Sequence, residues 1–236
     1  MSNDESWTQF RGINERRRAV RQFDGRPLDV AAFTEVVHEA LKAPSSANIQ
    51  PFEFHLVTGP ALKAALAVAC NGQEAARTAS ALVVVVSSKA IARRSLTSFE
   101  AGLDVLPESS RAYHRKNAKL LRRFLQLAPF PLWGLLRSVV SLLVPVLSLL
   151  PFGSGGVRHW LARNSVYAAQ TLMLAASARG FDTCPMEGFD ALKVSRVLGL
   201  RRGSVIPLII AVGHRTASAR LEPRMRRPLG DALVLR

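Results

Sequence analysis

Cysteine is scarce in this sequence, and clusters of metal-binding residues are missing. Two cysteines, Cys70 and Cys184, occur among 236 residues, far apart and without metal-ligand spacing around either. This disfavours both a disulfide-based framework and a zinc site. Residues 1–21 hold acids and arginines but no apolar stretch of the secretory type. We therefore expect a protein that works in the reducing cytoplasm.

Acidic residues are missing from a long internal stretch. Residues 109–181 contain no Asp or Glu but ten Lys and Arg residues, which is two thirds of the formal net charge of +15. A field of this sign attracts nucleic acid, anionic lipid or a phosphorylated small molecule. Because no helix-turn-helix, zinc-finger or RNP-type pattern is present, nucleic acid is the least favoured of these partners.

The residue sets that perform hydrolytic catalysis are also lacking. The sequence offers no persuasive Ser/His/Asp arrangement or carboxylate pair, and its five histidines are scattered along the chain. We interpret each histidine as a surface or core residue rather than as a general base. The side chains alone therefore predict no catalytic set.

Hydrophobic patterning predicts helices and strands within a single domain, residues 1–236. The length and the hydrophobic content of 48% suffice for one large core or two small ones. The run at residues 81–86 is apolar on both faces and β-branched, which is typical of a central strand. A long helix over residues 161–176 is stopped by Gly180. Further helices are predicted at residues 33–41 and 61–69, and further strands at residues 52–56 and 205–212.

Short polar side chains are concentrated between Pro44 and Phe52, after a helix and before a strand. The hydroxyl and amide groups of Ser45, Ser46 and Asn48 offer donors and acceptors on short stems. Such a loop suits a flat polar ligand, for example a flavin ring, better than an ion. An ordinary polar connection is the alternative, and the loop alone does not decide between the two.

Three further segments accompany this loop in a defined order. They are residues 16–24 (RRRAVRQFD), residues 184–190 (CPMEGFD), and residues 212–215 (VGHR) followed by 223–226 (PRMR). Each is weak by itself, because an arginine cluster is usually a solvated surface and a Glu-Gly pair is usually a turn. Together, the four segments resemble those of the FMN-dependent nitroreductase family. The resemblance covers about residues 16–98 and residues 163–236.

The resemblance implies a fold and an assembly. The fold is α+β, a mixed β-sheet flanked by helices, and two chains form an intertwined homodimer with two FMN molecules at its interface. The apolar segment 232–235 is too short to pack by itself, and it is predicted to pair elsewhere, for example as a strand exchanged between the two chains.

The resemblance also implies which residues bind FMN. Arginines from both ends of the chain cage the phosphate, since guanidinium forks bind two oxygens at once. Arg17 and Arg21 contact the phosphate or the pyrimidine edge, and Arg224 and Arg226 complete the phosphate cage. Arg18 is a further cofactor-binding arginine of the N-terminal segment. Ring contacts come from Ser45, Ser46 and Asn48, offered across the dimer interface to the FMN of the other subunit, from Asn71 and Gln73 at the ring edge, and from Pro185, Met186, Glu187 and Gly188 beside the flavin N5.

The activity implied is that of an NAD(P)H-dependent oxidoreductase. NAD(P)H gives hydride to FMN and departs, and a nitroaromatic, quinone-like or other lipophilic acceptor then takes the electrons at the same face. Because the cofactor performs the chemistry, no catalytic side chain is implied. Two alternatives stay open: a non-catalytic flavin-holding or membrane-associated interaction protein, and a different flavin chemistry on the same scaffold.

Residues 103–160 are not explained by the resemblance, and we interpret them as an enlarged lid that is basic at first and then apolar. The run 132–150 is about long enough to span a bilayer. A single crossing is disfavoured because Asn48 before the run and Glu187 after it must reach one flavin. Either the lid packs into the dimer, or it contacts the anionic inner face of the membrane peripherally.

Overall fold

A central β-sheet organises the structure, a computed structural model that describes residues 2–127 and 153–236. Its strands are β1 (Phe52–Val57), β2 (Ala81–Ser87), β3 (Asp182–Met186) and β4 (Ile209–Gly213). They lie in the order β1-β2-β4-β3, and each neighbouring pair is antiparallel. The strands predicted at residues 52–56 and 81–86 are therefore present.

The β2 strand occupies the central position that its apolar sequence predicts. All of its residues are buried, and it pairs with β1 on one side and with β4 on the other. Its β-branched valines favour this extended, pleated setting. Alternate residues enter different cores, so Val84 packs on one face of the sheet while Val83, opposite Ile210 of β4, packs on the other.

Helices cover both faces of the sheet. They are α1 (Asn3–Arg16), α2 (Val30–Ala40), α3 (Pro60–Ala69), α4 (Glu74–Thr78), α5 (Lys89–Ala101), α6 (Glu108–Leu127), α7 (Gly153–Ala178) and α8 (Ala191–Val197). The α2 and α7 helices share one core with the sheet, whereas α3, α4 and α8 share the other. This arrangement confirms the predicted α+β fold class.

The long helix α7 packs on α2, β2 and β3. Its buried face places the small residues Ala168 and Ala169 beside Leu172, which lets the neighbouring backbones approach closely. Gly180 follows the helix with a φ of +89°, a left-handed conformation that glycine adopts at no steric cost. The helix predicted over residues 161–176 is therefore present, and it begins earlier than predicted.

The last strand is shorter than its apolar run predicts. A strand was expected over residues 205–212, yet β4 begins at Ile209. Val205 instead forms a separate bridge with Ser87, with N···O distances of 2.7 and 2.8 Å. Pro207 lies between the bridge and the strand, and because it has no N–H to donate, it interrupts the ladder.

The segment that follows α1 runs along the outer edge of β3. Val20 N–H donates to the Thr183 carbonyl at 3.0 Å, and Ala19 forms a parallel bridge with Thr183. The sheet was predicted to be mixed, but its four described strands are all antiparallel, and the parallel contact is this isolated bridge at the edge. Asp24 N–H donates to the His214 carbonyl at 2.9 Å. The N-terminal arginines are thereby held near the end of β4.

Parts of the predicted lid, residues 103–160, belong to the described structure. The α6 helix packs through Ala118 and Leu125 into a small core that includes Trp160. The apolar run 132–150 lies outside the described residues. None of the helices in the described part of the chain is long and apolar enough to cross a membrane.

The C-terminal residues 232–235 are exposed, and they pair with no strand of the described residues. A short 3-10 turn, Leu229–Asp231, precedes them. Their pairing with a second chain remains a prediction.

Candidate functional site

An arginine-lined cavity of about 380 Å³ lies where the two ends of the chain meet. Its lining comes from both ends of the chain and from Glu74, and consists of Arg17, Arg18, Ala19, Arg21, Gln22, Glu74, Arg220, Leu221, Glu222, Pro223, Arg224 and Arg226. All five arginines predicted to bind the cofactor line this cavity. We call it the arginine cavity.

Arg224 fastens the C-terminal segment onto the end of α1. Its Nη2 donates to the carbonyl oxygens of Asn14, Glu15 and Arg17 at 3.0, 3.0 and 2.9 Å. Asn14 and Glu15 lie in the last turn of α1, where carbonyl groups lack an intrahelical partner and form the negative end of the helix dipole. Arg224 therefore has a structural role that the sequence did not reveal.

The arginine cavity is positively charged and short of hydrogen-bond partners. Burial, and then the charges of Arg224, Arg226 and Arg18, lower the pKa of Arg17. The Nε atoms of Arg17 and Arg224 are buried and find no hydrogen-bond partner among the described residues. Unpaired buried donors and crowded cations are both costly. An anion with several acceptor oxygens would relieve both costs, and a phosphate group is such an anion.

The other arginines of this cavity are engaged to different degrees. Arg18 donates to the carbonyl oxygen of Glu222, and Arg226 donates through Nη1 to the carbonyl of Met225 at 2.7 Å. Arg21 is exposed and makes no side-chain hydrogen bond to the described residues. Arg17 and Arg21 are consequently the arginines most available to a ligand.

The loop after β3 is held by two amide side chains. Asn71 Nδ2 and Gln73 Nε2 both donate to the Gly188 carbonyl, at 3.0 and 2.8 Å. Asn71 takes a left-handed φ of 57°, which asparagine tolerates better than most residues. Two of the predicted ring-edge residues therefore act here as braces, and they fix the orientation of the Gly188–Phe189 peptide.

The same loop is anchored on its other side by Asp190. Its Oδ1 accepts from the N–H groups of Leu192 and Lys193, both at 3.0 Å, and so caps α8. The backbone N–H of Lys193 is the largest cause of the lowered pKa of Asp190. Among the predicted site residues before it, Met186 is buried, whereas Pro185, Glu187 and Gly188 are exposed. Exposed backbone on a braced loop is suited to binding a ligand.

The polar loop, residues 44–52, is internally hydrogen-bonded and strained. Ser45 Oγ accepts from Gln50 N–H at 2.9 Å, and Asn48 Oδ1 accepts from Gln50 Nε2 at 3.3 Å. Ala47, Asn48 and Gln50 have positive φ values of 52°, 56° and 46°. Non-glycine residues in this region cost free energy and concentrate at functional sites. The loop is therefore built to present its polar groups in one arrangement.

Two residues of α7 that sequence reasoning missed hold the polar loop. Asn164 Oδ1 accepts from Ser46 N–H at 2.7 Å, and Trp160 Nε1 donates to Ser46 Oγ at 3.2 Å. Asn164 is only 2% exposed and also donates through Nδ2 to the Trp160 carbonyl at 2.8 Å. A polar amide inside an apolar helical stripe was the available signal, because a buried amide needs partners.

The polar loop and the arginine cavity do not meet within one chain. No residue of the polar loop is among those that line the arginine cavity. The loop packs instead against α6 and α7. The structure thus brings the arginines together, and it brings Asn71 and Gln73 together with Gly188, whereas Ser45, Ser46 and Asn48 are hydrogen-bonded within their own loop and to α7.

A family model described as the nitroreductase family matches residues 15–214. The chain belongs to the nitroreductase family. The matched range includes the N-terminal arginines, the polar loop and the loop after β3, but it ends before Arg224 and Arg226. The family resemblance recognised in the sequence is confirmed.

Individual proteins and solved structures are also similar to this chain. Protein DrgA of Synechocystis is 31% identical over 93% of this chain and 92% of its own length. An oxygen-insensitive NADPH nitroreductase of Helicobacter acinonychis is 28% identical over 94% of this chain and 93% of its own. A solved structure from Exiguobacterium sibiricum, in complex with FMN, matches with a TM-score of 0.73 at 21% identity, over 96% of this chain and 97% of that one.

Proposed function

We propose that this chain reduces a lipophilic acceptor, a nitroaromatic or quinone-like molecule, with hydride that NAD(P)H delivers through bound FMN. Membership of the nitroreductase family makes it an FMN-dependent oxidoreductase that uses NAD(P)H. The observation that carries the proposal is the arginine cavity, in which Arg17 Nε is buried without a partner among the described residues, while Arg224 Nε lies 3.7 Å from Glu15 Oε2. The Arg17 donors fit the phosphate end of FMN.

The phosphate end is held by arginines in different roles. Arg17 and Arg21 bind the phosphate oxygens, since their side chains make no other hydrogen bond among the described residues. Arg224 places Arg17 by gripping its carbonyl, and Arg226 adds charge to the cavity. Guanidinium groups stay charged at any working pH and match phosphate geometry with two donors at once.

The braced loop after β3 binds the flavin ring. The bound flavin supplies acceptance and donation of hydride, so no side chain has to act as acid or base. The task of the Glu187–Gly188 peptide is to orient the ring through backbone groups, and the absence of a side chain at Gly188 leaves room for a ring to approach. Asn71 and Gln73 hold the adjoining Gly188–Phe189 peptide through the Gly188 carbonyl, and so keep the loop in place.

A homodimer completes each site. The polar loop lies away from the arginine cavity of its own chain, so Ser45, Ser46 and Asn48 serve the FMN of the other subunit. The strained and braced state of the loop supports this role, because an ordinary connection would not need it. The reaction follows a ping-pong order in which NAD(P)H leaves before the acceptor enters.

Steady-state kinetics test the proposed reaction. NAD(P)H oxidation is measured with menadione and with a nitroaromatic acceptor at several concentrations of each substrate. We expect acceptor-dependent oxidation and parallel lines in double-reciprocal plots. A protein that shows the visible absorption of flavin but no acceptor-dependent rate would instead be a non-catalytic flavin-holding protein.

A further inference from the structure

A second basic cavity, of about 390 Å³, lies apart from the arginine cavity and shares no lining residue with it. Three parts of the chain form it: the start of α5, the first half of α7 and the turn after α8. Its charged lining residues are Lys89, Arg93, Arg158, Arg201 and Arg202. No Asp or Glu lines it. We call it the second basic cavity.

The five cations of the second basic cavity lack carboxylate partners. None of them forms an ion pair among residues 2–127 and 153–236, although ion pairs occur elsewhere on the same helices, for example between Arg94 and Glu53. The sequence between Glu108 and Asp182 contains no acidic residue at all. The 25 residues from 128 to 152 therefore cannot supply a neutralising carboxylate.

The backbone at this place adds to the positive field. The 13-residue helix α5 begins at the cavity, and Ser88 caps it by accepting from Ile91 N–H at 3.1 Å. The first turn of a helix carries free N–H groups and the positive end of the dipole. Burial and the charge of Arg93 lower the pKa of Lys89, as expected for cations held together without a counter-ion.

The positive charge of the second basic cavity favours an anion that carries several negative charges. Five cations exceed what a single carboxylate or a phosphodiester with one negative charge can balance, whereas a diphosphate carries about three charges at neutral pH and many acceptor oxygens. The lining residues Val157 and Leu161 leave the cavity partly apolar. We propose that the second basic cavity binds the diphosphate group of a small soluble ligand.

Inorganic pyrophosphate is the probe for this site. It is titrated calorimetrically into the FMN-saturated protein, so that the arginine cavity is occupied. In the double variant Arg201→Gln/Arg202→Gln we expect binding to weaken about tenfold per arginine, the usual effect of losing a hydrogen bond to a charged group. Both arginines are exposed and accept this change without loss of a packed contact.

The matched control removes the same charge elsewhere. Lys116 and Lys119 are exposed on α6 and line neither cavity, so Lys116→Gln/Lys119→Gln should leave binding within about twofold, since distant surface charges are screened by salt. Equal weakening in both double variants would overturn the proposal, because the general field alone would then explain binding. So would a native protein that takes up no pyrophosphate.

Lipid vesicles provide the other decisive comparison. If phosphatidylglycerol vesicles bind the native protein but not Arg201→Gln/Arg202→Gln, while pyrophosphate binds neither, then the cavity takes a lipid headgroup and the proposal is wrong. Lys89→Gln serves as a second variant from a different segment, and we expect it to weaken pyrophosphate binding as well. Lys89, Arg201 and Arg202 do not line the arginine cavity. If the protein does not bind pyrophosphate, the proposed oxidoreductase function is therefore unaffected.

Discussion

Arg224 Nη2 donates to the backbone carbonyl of Arg17 at 2.9 Å, across 207 positions of the sequence. This contact ties the end of the chain to its beginning and places both arginines at one cavity. The same Nη2 also caps the last turn of α1 through Asn14 and Glu15. The proposed binding of phosphate and the docking of the C-terminal segment are therefore coupled through one guanidinium group.

Replacement of Arg224 by Lys tests whether its role depends on the positive charge or on the hydrogen-bond geometry of the guanidinium group. An ammonium keeps the positive charge but cannot reproduce the planar fork that reaches three carbonyls. We expect a loss of about 1.5–3 kcal/mol in the free energy of unfolding, together with weaker FMN retention, measured by denaturant titration and flavin absorbance. Arg227→Lys, at an exposed neighbouring position, is the control and should behave like the native protein. Equal stability of both variants would contradict this role of Arg224.

Mixed dimers test whether the polar loop serves the other subunit. One chain carries Arg17→Gln and the other carries Ser46→Ala/Asn48→Ala, and the two are co-expressed with different affinity tags. In the mixed dimer one site combines native arginines with a native loop, so FMN should bind at half of the sites. If each chain built its own site, both sites would be damaged and no FMN binding would be recovered.

Loss of the buried Asn164 amide should reduce stability and FMN affinity more than loss of an exposed amide on the same helix. Asn164→Leu removes the buried acceptor of the Ser46 N–H, and loss of this part-buried hydrogen bond should cost about 1 kcal/mol. The midpoint temperature of thermal unfolding and the affinity for FMN should both decrease. Gln170→Leu, exposed on α7, is the matched control. Loss of stability without any loss of FMN affinity would show that the polar loop does not contact the cofactor.

Stability at alkaline pH should depend on Cys70. Burial raises the pKa of this thiol from 9.0 to about 11. Because the folded protein holds the proton more tightly than the unfolded chain, the contribution is complete below pH 9 and is lost as the pH rises towards 11. The free energy of unfolding of the native protein should therefore fall more steeply over this interval than that of Cys70→Ala. If the free energies of unfolding of the two proteins change with pH in parallel, the pKa of the Cys70 thiol is not raised by folding.

Patterns that depend on neighbours in sequence were predictable. The valine run of β2 and the small-residue stripe of α7 specify their own secondary structure, because strand and helix periodicity are local properties. Pro207 shows the limit, since the apolar run around it suggested a longer strand than the backbone can pair. The arginines that line the arginine cavity were predictable because they belong to motifs that occur in the order typical of the nitroreductase family.

Roles that arise from contacts between distant segments were not predictable. Nothing near Arg224 in sequence reveals that it caps α1, and nothing near Trp160 reveals its hydrogen bond to Ser46. Asn71 and Gln73 were expected at the ring edge, and only the folded chain shows that both grip the Gly188 carbonyl. Long-range hydrogen bonds of this kind depend on the completed fold.

FMN binding measured on the flavin-free protein tests the central claim most directly. The titration follows flavin fluorescence for the native protein, for Arg17→Gln/Arg21→Gln and for the control Lys116→Gln/Lys119→Gln. The account predicts one FMN per chain in the native protein and the control, and binding weaker by about tenfold per arginine in the Arg17 variant. Native protein that takes up no FMN, or an Arg17 variant that binds it as tightly as the control, would contradict the account.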